Sequence, residues 1–314
     1  MSERTASVLD AETAEGLSSG RAAVYVVGAL FWGYLLVRWL YDWGLADLLG
    51  MSKGAPFLPV DALEAIGAQY AGTPVGGFFD FLAVSASSLP SVANGAWLTI
   101  VLTVVSILLG LVIAVPLSVA RVYGGRVVSG IALGYTELIR GTPLLAQLFV
   151  LYFGLSLSAT IRGLPFVGEG FVPGQAVIVA IIGFTINSAA YQSEYIRSAL
   201  LSVEDGQVTA GRAIGLSQLD TIRYVVLPQG LRYAIPGWSN ELVYLIKYSS
   251  LAAFITVPEL YYRSQAIASN NFRFFELLVL AALLYLGMVL TASALMNAFE
   301  RRVSIPGLGQ ATGR

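Results

Sequence analysis

The sequence predicts an all-α polytopic membrane protein with six transmembrane helices, on the basis of its composition and of the way in which its apolar residues are grouped. Of the 314 residues, 56% are hydrophobic and only 12% are charged, and the mean hydropathy is +0.74. A soluble domain usually carries about 25% charged residues. The apolar residues also collect in long runs with few charges, and about 20 such residues cross a hydrocarbon core of ~30 Å.

Six runs are predicted to be membrane-spanning helices. Four of them contain no charged residue, namely Ala96–Ala120, Gly141–Ile161, Gly174–Ser193 and Leu277–Ala298. The other two are Ala22–Tyr41, in which Arg38 is expected to snorkel to the interface, and Tyr233–Val257, which contains Glu241 and Lys247. Long basic side chains near helix ends commonly snorkel in this way.

Orientation is predicted from the basic residues, because short cytoplasmic loops carry an excess of Lys and Arg. With the N-terminus inside, the cytoplasmic side receives Arg4, Arg21, Arg121, Arg126, Arg140, Arg197, Arg212, Arg223, Arg232, Arg301, Arg302 and Arg314. The external side receives Arg38, Lys53, Arg162, Arg263 and Arg273. Both termini are therefore predicted to be cytoplasmic, in a multi-pass protein of the cell (plasma or inner) membrane that contacts membrane lipid.

The composition also limits the function classes. The formal net charge is −1, which gives no electrostatic argument for a nucleic-acid partner. Cysteine and histidine are both absent, so the chain lacks thiol nucleophiles, the commonest zinc ligands and the usual acid–base group at neutral pH. With no paired carboxylate motif either, a membrane enzyme is disfavoured, and no metal or cofactor is expected in this chain.

The segment Ser202–Pro228, between the fourth and fifth predicted spans, is unusually long for a connection between helices, which typically needs about 2 to 8 residues. It is predicted to form two short helices set at an angle. Ser202 with Asp205 is expected to cap the first, and Ser217 with Asp220 the second. Gly215 lies between them, where a residue with positive φ would end a helix. An ordinary connector remains the alternative, but the length favours a surface presented to a partner.

The same segment resembles the Glu-Ala-Ala-x-x-x-Gly loop of ATP-binding-cassette importer permeases. The similarity rests on Gly206-Gln207, Arg212 to Ser217 and Leu227-Pro228-Gln229, with a spacing of twelve from Gly215 to Leu227. The resemblance implies that this coupling loop docks in a groove of a cytoplasmic ATPase through Gln207, Thr209, Ala210, Gly211, Ala213, Gly215, Leu227 and Pro228. The sequence departs from the pattern at Thr209-Ala210-Gly211, where the acidic residue is missing.

Further matches, in order over about Phe79 to Arg302, indicate the polar amino acid uptake family. They are Leu89-Pro90, Asn94-Gly95, Leu98-Thr99, Arg140 to Leu145 with Gln147, Ala189 to Arg197, Pro236, Asn240-Glu241, Lys247 to Leu251 and Glu300 to Arg302. The resemblance implies a five-helix permease core over residues 81–302, with the coupling loop at 202–228. Outside it lie a cytoplasmic tail at 1–21, an extra helix at 22–41, an external loop at 42–80 and a cytoplasmic tail at 303–314.

The resemblance also implies partners: two ATPase subunits, a second permease core of the same or a related chain, and an external solute-binding protein. A phosphate-binding loop needs a Gly-Lys pair. The only lysines, Lys53 and Lys247, follow Ser52 and Ile246, so the chain cannot supply that site. ATP and magnesium are therefore expected in the partner ATPase.

Ionisable residues within a membrane are costly and are functional candidates by default. Asn187, Tyr191 and Glu194 share one helical face, and Asn240, Tyr244 and Lys247 repeat that spacing in the next span. Two such stripes facing one another would line a substrate path, with Ser250 as a further hydrogen-bonding group. The alternative is structural: Glu194 pairs with Arg197 at the cytoplasmic interface, and Lys247 only neutralises Glu241.

Taken together, the sequence predicts the transmembrane permease subunit of an ATP-driven importer for polar amino acids. A secondary transporter or channel for small polar solutes, without an ATPase partner, would also suit six helices and buried charges. Such a protein would not need the long cytoplasmic loop, so ATP dependence distinguishes the two.

Overall fold

The computed structural model describes residues 26–169 and 172–303, and its regular structure there is helical, with no β-strand. The predicted tail 1–21, and all of the predicted tail 303–314 except Val303, lie outside the described residues. The helices in chain order are α1 (26–40), α2 (Val60–Gln69), α3 (Pro74–Tyr123), α4 (Arg126–Arg140), α5 (Leu144–Phe149), α6 (Leu157–Arg162), α7 (Gln175–Leu201), α8 (Asp205–Ala213), α9 (Gln218–Thr221), α10 (Leu227–Tyr248), α11 (Leu260–Asn271) and α12 (Phe274–Val303). Residues Tyr41–Leu45, Val150–Gly154 and Ile222–Val226 form π-helical turns after α1, α5 and α9, and Ser249–Ile255 forms a 3₁₀ helix after α10. Ala46–Leu48 adds a single α-helical turn before α2.

The predicted spans are confirmed most clearly where the apolar runs are longest. Among the described residues, α3, α7 and α12 are long and apolar enough to cross a membrane by length and composition, and Leu144–Gly154 is a shorter apolar helix. The predicted span Gly141–Ile161 is not one straight helix, because Ser156 adopts a left-handed conformation with φ 50° between α5 and α6. The predicted span Tyr233–Val257 lies in α10 and the 3₁₀ helix that follows it.

Two stretches that the sequence left without a span are helical. The segment 42–80 is predicted to be an external loop, but α2 occupies Val60–Gln69 and α3 begins at Pro74. The helix α4 was not predicted, because it is short and amphipathic and has Arg126 and Arg140 at its ends. Its large apolar side chains are exposed along one face, as at Val127, Ile131 and Leu138.

The chain divides into two compact units, and the first comprises residues 26–94 of the described chain with Arg273–Gly287. Within it, Arg38 is fully buried, so the expectation that it snorkels to the interface is wrong. Its guanidinium pairs with Asp42 and donates to the Ala55 carbonyl at 2.6 Å. Asp42 also accepts a hydrogen bond from the Gly54 amide at 3.0 Å. Arg38 therefore holds the polypeptide after α1 in a fixed arrangement.

The second unit comprises Gly95–Phe272 with the described residues from Met288 onwards. Its apolar core is formed by side chains of α3, α5, α7, α10 and the 3₁₀ helix, among them Leu102, Leu148, Phe184, Leu245 and Ile255. A smaller cluster, including Ala114, Ile196, Leu200 and Val226, packs towards the end of α7 that leads into α8. The core thus places α7 at the centre of this unit.

One close backbone contact in this unit explains a glycine of the sequence pattern. A Cβ on Gly95 would lie 2.9 Å from the Glu259 carbonyl oxygen, so this position accepts only glycine without a shift of the backbone. Glu259 is fully buried and caps α11, accepting the amides of Tyr261 at 2.9 Å and Tyr262 at 2.8 Å. Because its oxygens accept the otherwise unpaired donors of a helix start, the carboxylate is satisfied in the interior.

Candidate functional site

The predicted coupling loop begins with α8, which ends in the glycine turn that the sequence indicates. Gly215 has φ 90°, and its amide donates to the Arg212 carbonyl at 3.0 Å. The Leu216 amide donates to the Gly211 carbonyl at 3.2 Å, which completes a Schellman motif. A Cβ on Gly215 would meet nothing within 4 Å, so the backbone conformation alone favours glycine here. The positive φ predicted at Gly215 is confirmed.

The capping predictions for the two short helices have different outcomes. Ser217 caps α9 as predicted: its hydroxyl accepts the Asp220 amide at 3.1 Å and contacts the Asp220 carboxylate at 2.5 Å. The predicted cap of α8 by Ser202 is wrong, because Glu204 occupies the N-cap position and the Ser202 hydroxyl donates to the Ala199 carbonyl at 2.8 Å. Ser202 instead completes the end of α7.

The second short helix is not a separate element. The helix α9 continues through the π-helical turn Ile222–Val226 into α10, with Pro228 in the first turn of α10. A Cβ on Gly211 would lie 2.9 Å from the Thr221 side chain, so Gly211 lets α8 approach α9 closely. The helix α8 therefore packs on a segment that is continuous with α10, one of the helices that carry the predicted path residues.

The outer side of α8 and α9 presents an exposed surface, which we call the coupling surface. Most of the residues predicted to contact the ATPase are exposed here, while Gly211 is buried and Leu227 is half-buried. Two exposed apolar residues that the sequence analysis did not single out flank Gly215, Ile214 at 79% exposure and Leu219 at 76%. The coupling surface consists of Gln207, Thr209, Ala210, Ala213, Ile214 and Leu219. Large apolar side chains grouped on a polar loop are typical of a protein contact.

The first predicted stripe, on α7, contacts side chains of α3, α4 and α5. Asn187 donates to the Gln147 side chain at 3.1 Å, and the Arg140 guanidinium lies over the Tyr191 ring at 5.4 Å. Glu194 forms salt bridges with Arg121 at 2.7 Å and Arg197 at 3.0 Å, and lies 3.8 Å from Arg140. We call these three arginines with Glu194 the arginine cluster.

The second predicted stripe, on α10, is exposed in the single chain. Asn240, Tyr244 and Lys247 all lie on this surface, which we call the α10 stripe. The Lys247 ammonium lies over the Tyr244 ring at 4.7 Å and forms no salt bridge in the part of the chain that the structure describes. The Ser250 hydroxyl donates to the Lys247 carbonyl at 2.8 Å. The stripe therefore offers a cation, an amide and a phenol together.

Within one chain, the contacts that the structure shows for the two stripes are made with different neighbours. The α7 stripe points to α4 and α5, whereas α7 contacts α10 through other residues, such as Tyr195 against Gly237. The pairing of Glu194 with Arg197 is confirmed. The pairing of Lys247 with Glu241 is wrong, because no salt bridge joins them in the described chain: Glu241 is buried at 4% exposure, whereas Lys247 is exposed.

The polar contact between α7 and α10 is centred on Gln192, which the sequence analysis quoted only as part of a motif. Its side-chain oxygen accepts the Trp238 indole N–H at 2.8 Å. Its amide donates to Ser188 at 2.8 Å and to the Ile107 carbonyl at 3.0 Å. Because Gln192 is fully buried, these bonds tie α3, α7 and α10 into one polar network.

Comparison with known proteins gives a consistent result. Residues 106–305 match the family described as "Binding-protein-dependent transport system inner membrane component". The chain is 40% identical over 68% of its length to the probable amino-acid ABC transporter permease protein YckA of Bacillus subtilis, covering 90% of that protein. It is 37% identical over 72% of its length to the glutamine transport system permease protein GlnP of Escherichia coli K12, covering 99% of it.

Solved structures show the same architecture. A crystal structure of an amino acid ABC transporter with histidines matches 71% of this chain and 98% of its own, with 30% identity and a TM-score of 0.61. An inward-facing structure of the MetNI methionine ABC transporter matches 68% of this chain and 97% of its own at 19% identity and a TM-score of 0.58, which supports the fold alone.

The helical fold, the coupling segment and these relatives define a membrane transport subunit rather than an enzyme. The chain belongs to the family of binding-protein-dependent transport system inner membrane components. It is the transmembrane permease subunit of an ATP-driven importer, and ATP is used by a partner ATPase.

Proposed function

We propose that this permease carries a polar amino acid and that the α10 stripe contacts it. The observation that carries the proposal is Lys247, an exposed cation within the span Tyr233–Val257 that the sequence predicts, with no acidic partner in the described chain. Such a charge is costly unless it meets a counter-ion. The carboxylate of an amino acid is a suitable one, and Asn240 and Tyr244 beside it supply neutral hydrogen-bonding groups.

The relatives support this class of substrate. Three of them are named as permeases of glutamine, nopaline and L-cystine transport systems. All three solutes are polar and are amino acids or derived from amino acids. Asn187 and Tyr191 on α7, together with Ser250, are proposed as further polar groups of the path, and Glu194 is proposed to border it and to hold its wall together through the arginine cluster. Because the α10 stripe is open in one chain, its other wall is proposed to come from a second permease core, from the same or a related chain.

The coupling surface is proposed to dock on the ATPase. Gly215 fixes the angle between α8 and α9, and Ile214 and Leu219 on either side of it are suited to insert into an apolar groove. A few well-buried apolar anchors usually dominate the energy of such a contact. The full importer is proposed to contain two ATPase subunits with ATP and magnesium, two permease cores and an external solute-binding protein.

We also propose the domain arrangement that the sequence predicts. It has a permease core over 81–302, an additional N-terminal helix, and both termini cytoplasmic. Single cysteines test the topology without background labelling, since the native chain has none. A cysteine at Ser52 should react with a membrane-impermeant maleimide from outside, and one at Arg126 only from inside. Labelling of Ser52→Cys from the cytoplasmic side alone would contradict this orientation.

The substrate class is tested with the complete importer in proteoliposomes. Uptake of radiolabelled polar amino acids should require ATP inside and the binding protein outside, and should be competed by amino acids but not by sugars or peptides. Uptake that an ion gradient drives without ATP would favour a secondary transporter instead. ATP-dependent uptake of a different solute would leave the importer intact and refute only the substrate class.

A further inference from the structure

A crevice opens between α3, α7, α10 and the end of α12, apart from both predicted stripes. Its volume is about 310 Å³, at the low end of the range of about 300 to 1,000 Å³ for ligand pockets. Its walls are mostly apolar and include Leu111, Ile196, Ile235 and Phe299. Such a wall is suited to a hydrocarbon chain. It offers no hydrogen bonds to replace those that a polar solute loses with its water.

The two ends of the crevice along α10 differ in polarity. At one end Trp238 donates its indole N–H to Gln192, whose amide is also engaged, so neither residue requires a ligand. At the other end lies Arg232, which is exposed and forms no salt bridge within residues 26–169 and 172–303. Trp238 comes six positions after Arg232, so the two residues are about 9 Å apart along the helix axis.

We propose that this crevice binds one anionic phospholipid, with its phosphate on Arg232 and an acyl chain along the apolar wall towards Trp238. A guanidinium matches the geometry of a phosphate and binds it through two parallel hydrogen bonds. A free cation at the end of an apolar crevice is complementary to a ligand with one anionic end and one apolar tail. This role is separate from the transport function and does not depend on the identity of the carried solute.

The charge end is tested on the purified, delipidated importer complex by native mass spectrometry with added phosphatidylglycerol. Arg232→Gln should weaken retention of the lipid about fivefold, the factor that corresponds to about 1 kcal/mol for one arginine at a lipid headgroup. Arg232→Lys keeps the charge but not the two parallel hydrogen bonds, so it should retain an intermediate share of the binding. Arg126→Gln is the matched control, because Arg126 is also exposed and unpaired in the described chain but does not line the crevice.

Three results would overturn the proposal: equal retention by Arg232→Gln and the native protein, equal retention of phosphatidylcholine and phosphatidylglycerol, or displacement of the lipid by glycerol phosphate. The last result would indicate a site for free phosphate. If the complex retained no lipid and Ile235→Cys formed a disulfide with a second copy, the crevice would be a contact between permease cores and the proposal would be overturned.

The acyl end has its own measurement, which does not depend on the folding of an Arg232 variant. Phosphatidylglycerol with a brominated acyl chain should quench the fluorescence of Trp238 in the native complex. The quenched fraction should fall in Trp238→Phe, which leaves the other four tryptophans in place. Unchanged quenching in Trp238→Phe would show that the chain lies elsewhere and would refute the assignment.

Discussion

Glu194 on α7 and Lys247 on α10 are both ionisable residues of helices in a membrane protein, but their charges are balanced differently. Glu194 is 13% exposed and is surrounded by Arg121, Arg140 and Arg197 of its own chain. Lys247 is exposed, lies over the Tyr244 ring and forms no salt bridge within the described residues. A charge that its own chain compensates holds helices together, whereas a charge without such a partner is left for another molecule.

The largest effect is expected from Glu194→Gln, which leaves the arginines of the cluster without a carboxylate. Breaking a buried pair costs about 3 to 5 kcal/mol, and partial exposure reduces this to roughly 1 to 3 kcal/mol. Thermal unfolding of the purified complex should show the loss. Glu64→Gln is the control, because Glu64 is exposed and unpaired in the described chain. Equal melting temperatures for the two variants would remove the structural role of the cluster.

The next effect is expected from Lys247→Met, which removes the cation of the α10 stripe and keeps a long apolar side chain. A hydrogen bond to a charged group contributes about 1.5 to 3 kcal/mol, so uptake should fall by roughly tenfold or more. Assembly and basal ATP hydrolysis should be unchanged, and Lys247→Arg should restore part of the uptake. Native uptake and selectivity in Lys247→Met would remove Lys247 from the path.

A smaller effect is expected from Gly215→Val in the coupling loop. A β-branched residue resists positive φ, and the left-handed conformation costs roughly 1 to 2 kcal/mol. The angle between α8 and α9 should change, so the number of substrates carried per ATP should fall several-fold while the membrane helices stay folded. Gly206→Val is the control, since Gly206 has no positive φ and open space around it. Equal coupling in both variants would mean that the loop is only a connector.

The smallest effect is expected from Ser217→Ala, which removes the cap of α9 and costs about 1 kcal/mol. Hydrogen exchange of the amides from Ser217 to Thr221 should become faster. Ser202→Ala should change little there, because the Ser202 hydroxyl bonds to the end of α7 and caps neither short helix. Faster exchange of these amides in Ser202→Ala alone would contradict the capping arrangement.

The features that the sequence predicted correctly depend on local signals. The apolar runs within α3, α7 and α12 exceed the thickness of a membrane, and Gly215 and Ser217 follow turn and capping preferences that act over a few residues. The family resemblance added the coupling role, because an ordered set of motifs identifies a partner that residue chemistry alone does not.

The features that the sequence did not predict depend on tertiary packing. The neighbours of Glu194 come from α3 and α4 as well as its own helix, and no periodicity of α7 reveals them. The left-handed break falls at Ser156 and not at Gly154 two residues earlier, so the sequence does not mark its position. Gly76 indicates a loop in the sequence, but it lies in the first turn of α3. Glycine is needed there because a Cβ would meet the Tyr70 carbonyl oxygen. Similarly, the exposure of the apolar side chains of Ile214 and Leu219 is visible only in the structure.

The most direct test of the distinction between the two charges is to measure the melting temperature and the ATP-dependent uptake in the same preparations of Glu194→Gln and Lys247→Met. The account predicts that Glu194→Gln loses thermal stability, and that Lys247→Met melts like the native complex and hydrolyses ATP but carries little substrate. The reverse pattern, with an unstable Lys247→Met and a stable Glu194→Gln that fails to transport, would contradict it.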